Sequence, residues 1–159
     1  MSFIDNLGKL QLAAEKVSDN RYLKAVSKGM VMTIPASITG AMCTLIANLP
    51  FAGYQSFIEG NGLKTLLLLP GVFTSNIMGL IVVYFIAYNL AKSYDIEGMF
   101  PGVLGIISFL LLTPLSTIEQ QVHDTVRPVD FISFDYIGSK GMFVGIIVGL
   151  LVAKIYSWF

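Results

Sequence analysis

Charge is what this sequence has least of. Acidic and basic residues make up 13% of its 159 residues, ten of each sign, so the formal net charge is zero. Soluble domains carry about 25% charged residues, and a nucleic-acid footprint needs a basic face or stripe that a balanced chain does not offer. Cysteine is nearly absent too. The lone Cys43 can neither close an internal disulfide nor complete a zinc-finger pattern, and its place in an apolar run reads as a small core residue rather than a reactive thiol. With a single histidine, His123, there is no H-x-x-x-H pair. No Gly-rich phosphate loop, Walker motif, catalytic-triad spacing or heptad run is visible either. No catalytic, substrate-binding or metal-binding residue is assigned on these grounds, and no cofactor or nucleic-acid partner is implied.

What is present is apolar length. Hydrophobic residues reach 55% and the mean hydropathy is +0.74. No charged residue lies between Lys28 and Glu59, more than the roughly 20 residues a helix needs to cross a bilayer. Within Gly29 to Pro50, Pro35 removes a backbone donor and crowds the carbonyl of Val31, which predicts a kink. Ala36, Gly40 and Thr44 recur every fourth residue, a small-residue stripe that lets a second helix approach closely. Thr33, Ser37, Thr39, Thr44 and Asn48 require partners inside protein rather than lipid. A helix of this kind belongs in a polytopic membrane bundle.

The rest of the chain is read in the same way. Phe3, Leu7, Leu10, Ala14 and Val17 fall on one face of a helix over residues 1–17, lying along the membrane surface or against the bundle. Ser18-Asp19-Asn20 offers an N-cap for the helix after it, and residues 1–28 form a cytoplasmic lead-in. The first run is too long for the core of a signal peptide and has no convincing cleavage site, so it is expected to stay as an anchor. Spans are expected at about 30–49, 72–91, 99–115 and 141–159, within a transmembrane scaffold covering 29–159. Between the first two, a short helix is expected around Tyr54 to Ile58. Pro70 is placed near the first turn of the second span, where its missing donor does little harm. Asn76 and Asn89 are read as interhelical hydrogen bonders rather than ligands. The third span, bounded by Pro101-Gly102 and Pro114, is short enough to be a partly re-entrant element instead.

Residues 116–140 gather Glu119, His123, Asp124, Arg127, Asp130 and Asp135, in no metal or paired-carboxylate spacing, and read as a solvated loop. Val129 to Tyr136 reads as a hairpin arm or an interfacial turn. In the last span, Gly141, Gly145, Gly149 and Ala153 line one side at four-residue intervals, two overlapping GxxxG motifs extended by alanine. Tyr156 and Trp158 suit an interfacial belt. An inside N-terminus puts Lys9, Lys16, Arg21, Lys24, Lys28, Lys92 and Lys154 in the cytoplasm, against Lys64, Arg127 and Lys140 outside. The fold class is therefore an all-α membrane protein of about four transmembrane helices plus an N-terminal amphipathic helix, both termini cytoplasmic. It is multi-pass, with the lipid bilayer as its first partner and the two small-residue stripes as candidate packing or homodimer faces.

Several stretches, taken in order, resemble one family. They are Asn20 to Lys28 with Gly29-Met30 and Ile34-Pro35, then Ile46-Ala47-Asn48-Leu49-Pro50, then Phe85 to Ala91, then Tyr136 to Phe143. The chain resembles the N-terminal half of the EIIC membrane component of sugar phosphotransferase systems, in the lactose/cellobiose (diacetylchitobiose) family. The resemblance implies import of a disaccharide or related β-glycoside while EIIB and EIIA proteins phosphorylate it. It also implies that this half is the stationary, dimer-forming scaffold, with the sugar-holding histidine and glutamate in a C-terminal half that has no counterpart here. Neither His123 nor Cys43 takes over a family catalytic role. The expectation is a half-subunit that needs a C-terminal half for transport. The alternative is a small non-transport interaction or regulatory protein derived from the same scaffold.

Overall fold

The computed structural model describes the backbone of residues 20–122 and 125–159, and side chains at these positions except 118–129. The amphipathic segment expected at 1–17, together with His123 and Asp124, lies outside the described residues. Asn20 caps the first helix, its side chain accepting a hydrogen bond from the Tyr22 amide at 2.9 Å, the ordinary means of satisfying an orphan donor at a helix start. Helix α1 (Arg21–Met32) leads into α2 (Ile34–Ala47), and the two make one 27-residue apolar helix, about 40 Å long at 1.5 Å per residue. The helix that carries the first expected span thus begins at Arg21, ahead of residue 30, and includes Arg21, Lys24 and Lys28. Helical bonding is interrupted at Thr33, two residues before Pro35, and the Thr33 hydroxyl donates to the Met30 carbonyl at 2.7 Å.

Helix α3 (Ala52–Gly60) follows. Its Gln55 amide donates to the carbonyls of Ala47 and Leu49 at 3.1 and 2.8 Å, which closes the C-terminal end of α2 where carbonyls have no helical partner. Gly62, at φ 67°, makes the turn into α4 (Leu63–Asn76); a side chain there would sit in the left-handed region that disfavours L-residues.

The second span differs from expectation. Helix starts at Leu63 and includes Pro70 in its interior, then bends by 49° at Ile77 into α5 (Met78–Lys92). Proline inside a membrane helix is tolerated where neighbouring groups and helices make good the lost bond. The bond lost is the one to the Leu66 carbonyl; one turn further on, the Thr74 hydroxyl donates to the Pro70 carbonyl at 2.6 Å. The bend falls at Ile77 because α4 turns aside to pair with α2, while α5 enters the main bundle.

Helix α6 (Met99–Leu112) has 14 residues, about 21 Å against a hydrocarbon core of about 30 Å. Among the described residues, two helices are long and apolar enough to cross a membrane, three if the bent pair counts as one, and α6 corresponds to the third span expected to be short.

The 116–140 stretch is not simply a loop. Strands β1 (Leu115–Val122) and β2 (Thr125–Ile132) form an antiparallel hairpin with Leu115 opposite Ile132 and Thr117 opposite Asp130. The Thr117 hydroxyl donates to the Asp130 carboxylate across the pair at 2.7 Å. This hairpin is where the chain departs from an all-helical description. Short α7 (Phe134–Ile137) and a 3-10 turn at Ser139–Gly141 then lead into α8 (Met142–Tyr156).

Helix α5 is the axis. Gly79, Val82, Val83, Ile86, Ala87, Asn89, Leu90 and Ala91 on it are all buried, and α1, α6 and α8 pack around it. In contrast α4 buries no residue fully. Lipid supplies no hydrophobic drive between helices, so close backbone approach and dispersion hold such contacts. A Cβ added at Gly149 would lie 3.0 Å from the Val83 carbonyl oxygen and 3.3 Å from Ile86 Cγ2. Gly149→Leu is therefore expected to destabilise the bundle by about 1–3 kcal/mol, the usual cost of overpacking. Detergent-solubilised melting should show a clear fall for Gly149→Leu and almost none for Ile147→Leu on the exposed side of the same helix.

Candidate functional site

Two seams account for the small-residue stripes. On α8, Gly145 faces Val83 Cγ2 and the Gly79 carbonyl, a Cβ there meeting them at 2.7 and 3.2 Å, and Gly149 faces Val83 and Ile86. Ala153 is fully buried in a cluster with Ala25, Ala87 and Leu90. Gly141 lies under the Tyr136 carbonyl and the Phe109 ring. This stripe therefore meets α5 and its neighbours within one chain. The stripe on α2 meets α4: Gly40 lies against Thr74 and Gly71, and Thr44 lies against Gly71. Ala36 is half-buried on the same helix.

Other close approaches have no counterpart among the sequence-based expectations. Gly29 on α1 meets Ile86, while Gly98 and Gly102 meet Tyr88 and Tyr84. The last two carry a readable signal, since glycines four apart face tyrosines four apart, one turn matching one turn.

The buried side chains of Thr33, Asn89 and Thr113 all donate hydrogen bonds, as membrane burial requires, whereas the buried Gln55 Oε1 has no partner among the described residues. The Asn89 amide donates to the Phe85 carbonyl at 2.7 Å and to Met32 Sδ at 3.2 Å, which ties α5 to α1. Thr113 donates to the Phe109 carbonyl at 2.8 Å.

Two open grooves have polar groups in their lining. One, of about 440 Å³, runs between α2 and α4 past Ser37, Thr44, Asn48, Thr74 and Ser75. The other, about 410 Å³, sits where α6 ends and α8 begins, with Phe109 and Val144 in its lining and the exposed Asp135–Lys140 ion pair, 2.8 Å long, among its polar groups. No group of three or more metal-ligating side chains occurs among the described residues. Neither groove holds a nucleophile beside a base.

The densest electrostatic cluster sits at the other end of α8. Tyr94, in the turn after α5, has its hydroxyl 3.2 Å from that of Tyr22 and 3.4 Å from Lys154 Nζ. The Arg21 guanidinium lies 4.7 Å from the Tyr94 ring centre and Lys154 Nζ lies 5.3 Å from it, while Lys92 lies 4.7 Å from the Tyr88 ring. The cluster joins α1, the α5–α6 turn and α8. The Tyr22 hydrogen bond, then Lys154 and Arg21, hold the Tyr94 hydroxyl below the ordinary tyrosine value, against an opposing effect of burial.

The architecture defines a helical membrane protein whose helices pack through glycine seams around one central helix. Comparison narrows this. Residues 27–159 match the family "Phosphotransferase system, EIIC", and the chain belongs to that family. It is 34% identical over 150 residues to the oligo-beta-mannoside-specific EIIC component of Bacillus subtilis, covering 90% of this chain and 32% of that one. It is 30% identical over 148 residues to the cellobiose-specific EIIC component of Geobacillus stearothermophilus, covering 90% and 33%. Among solved structures it superposes on the transporter ChbC, the IIC component of the N,N'-diacetylchitobiose-specific phosphotransferase system, with a TM-score of 0.82 and 33% identity over 93% of this chain and 35% of that one. The matched part is the N-terminal half. The chain spans about a third of the length of these relatives.

Because the Tyr94 anion is favoured in the folded state, its contribution to stability is present above the ordinary tyrosine value and is lost as pH falls through the lowered one. Tyr22→Phe is expected to move Tyr94 ionisation back upward, read as the difference in phenolate absorbance titration between that variant and Tyr22→Phe/Tyr94→Phe.

Proposed function

We propose that this chain is the scaffold half of a phosphotransferase-system permease for a disaccharide or related β-glycoside, and transports only together with a C-terminal half. The observation that carries this is the family match over 27–159 by a chain that spans about a third of its relatives. The oligo-β-mannoside, cellobiose and diacetylchitobiose relatives support the β-glycoside class. In this reading phosphoryl transfer belongs to EIIB and EIIA proteins.

In the same reading the chain is multi-pass in the bacterial plasma membrane with both termini cytoplasmic. Arg21, Lys92 and Lys154 gather near Tyr94 and Tyr88 at one end of the bundle, and Lys140 lies at the opposite end of α8, the asymmetry expected of a positive-inside protein. The protein is a homodimer. With Gly145, Gly149 and Ala153 engaged by α5, and Gly40 and Thr44 engaged by α4, the second copy meets the exposed apolar side of α2 and α4, where Met42, Leu45, Leu66 and Phe73 lie.

Co-expression with a C-terminal half from a cellobiose-type EIIC, in cells lacking their own, is expected to restore phosphoenolpyruvate-dependent uptake of labelled cellobiose well above either half alone. Uptake by the C-terminal half that is indifferent to this chain would instead favour a non-transport interaction protein.

A further inference from the structure

Beyond transport, the basic end of the bundle has the features of a ligand site. Two cations, Arg21 and Lys154, converge on the single ring of Tyr94. Among the described residues neither is ion-paired with a carboxylate: the ion pairs there are Lys64–Glu59 and Lys140–Asp135. Asp95 and Glu97 lie on the same turn and pair with neither. Lys92, one turn before, rests on the Tyr88 ring and is likewise without a carboxylate. Arg21 and Lys154 lie 4.7 and 5.3 Å from the same ring centre, and like charges gathered on one ring repel unless an anion or solvent screens them.

The surroundings state which anion fits. Arg21 begins the 27-residue helix, and Lys92 and Lys154 are in the last turns of α5 and α8, so all three lie at helix ends, near the depth of lipid headgroups. Next to Lys154, Leu151 and Ile155 expose apolar surface of the kind that meets acyl chains. The Tyr22 and Tyr94 hydroxyls are 3.2 Å apart, so one donates to the other and the pair keeps one hydroxyl proton for an oxyanion. Rings under the cations hold them in place without neutralising them, and basic pockets between membrane helices are known to take phosphate-bearing headgroups.

We propose that Arg21, Lys154, Tyr22 and Tyr94, with Lys92 at the margin, form a site for the phosphate of an anionic phospholipid at the junction of α1, α5 and α8. The guanidinium and ammonium grip the phosphate from two sides, and the acyl chains run down the Leu151–Ile155 side of α8. The occupied site bridges the charge repulsion and stiffens the end of the bundle.

The test uses the full chain in mixed phosphatidylglycerol/phosphatidylcholine nanodiscs, with lipid retained after gentle release counted by native mass spectrometry. Selective retention of phosphatidylglycerol is expected, falling by roughly tenfold or more in Arg21→Gln/Lys154→Gln. Lys154→Arg should keep it, and Lys64→Gln, at a distant ion pair, should leave it unchanged. Circular dichroism confirms that each variant is folded. Equal retention in the double variant and the parent would overturn the proposal. So would displacement of the lipid by millimolar inorganic phosphate, which would mean that the site takes the free anion.

Discussion

The contact between α5 and α8 is the constraint on which the fold depends. Val83 and Ile86 are β-branched, fully buried and nearly rigid at χ1, and they stand over Gly145 and Gly149, where any side chain would collide with them or with the Val83 carbonyl. Branched knobs over bare backbone are the geometry that brings two membrane helices close without help from water. Once α8 is seated, Ala153 meets Ala87 and Leu90, and the end of α8 comes within reach of Tyr94. The opposite faces of α5 then receive α1 through Gly29 and α6 through Gly102 and Gly105. One helix thus organises three neighbours, each by way of missing side chains.

Outside that axis the molecule is built more openly. Helices α2 and α4 meet through Gly40, Gly71 and Thr44, bury little else, and leave a groove with hydroxyls and an amide in its lining. The bend at Ile77 separates this pair from the bundle. A close-packed core around α5 is thus joined to a loosely covered pair whose outer faces stay exposed.

Much of this was legible in the residues. The Gly141–Ala153 stripe is a periodic signal, and periodicity survives folding. What it could not specify was its partner, because small-xxx-small says that a backbone comes close and not whose. The Asn20 cap and the Asn89 interhelical bond to Met32 were readable for local and dielectric reasons respectively. Pro70 was misread because the local rule, which ends or starts a helix at proline, yields here to the pairing of α4 with α2. Gly102 was read as a breaker beside Pro101, although its spacing from Gly98 matches that of Tyr84 and Tyr88. The hairpin showed only in part, since Val129 and Phe131 alternate but its partner Leu115–Val122 does not. The Tyr22–Tyr94 contact joins residues 72 apart in the chain, and no local pattern encodes such a meeting.

The central claim is that the glycine face of α8 is spent inside its own chain. It is tested most directly by disulfide trapping of Ala87→Cys/Ala153→Cys in a Cys43→Ser background, with two differently tagged copies expressed in one membrane. Both positions are fully buried in a single cluster. Oxidation should yield a cross-linked species at monomer mass, with no product carrying both tags. A dominant product carrying both tags would mean that α8 meets α5 of another copy, and the account of the bundle would be wrong.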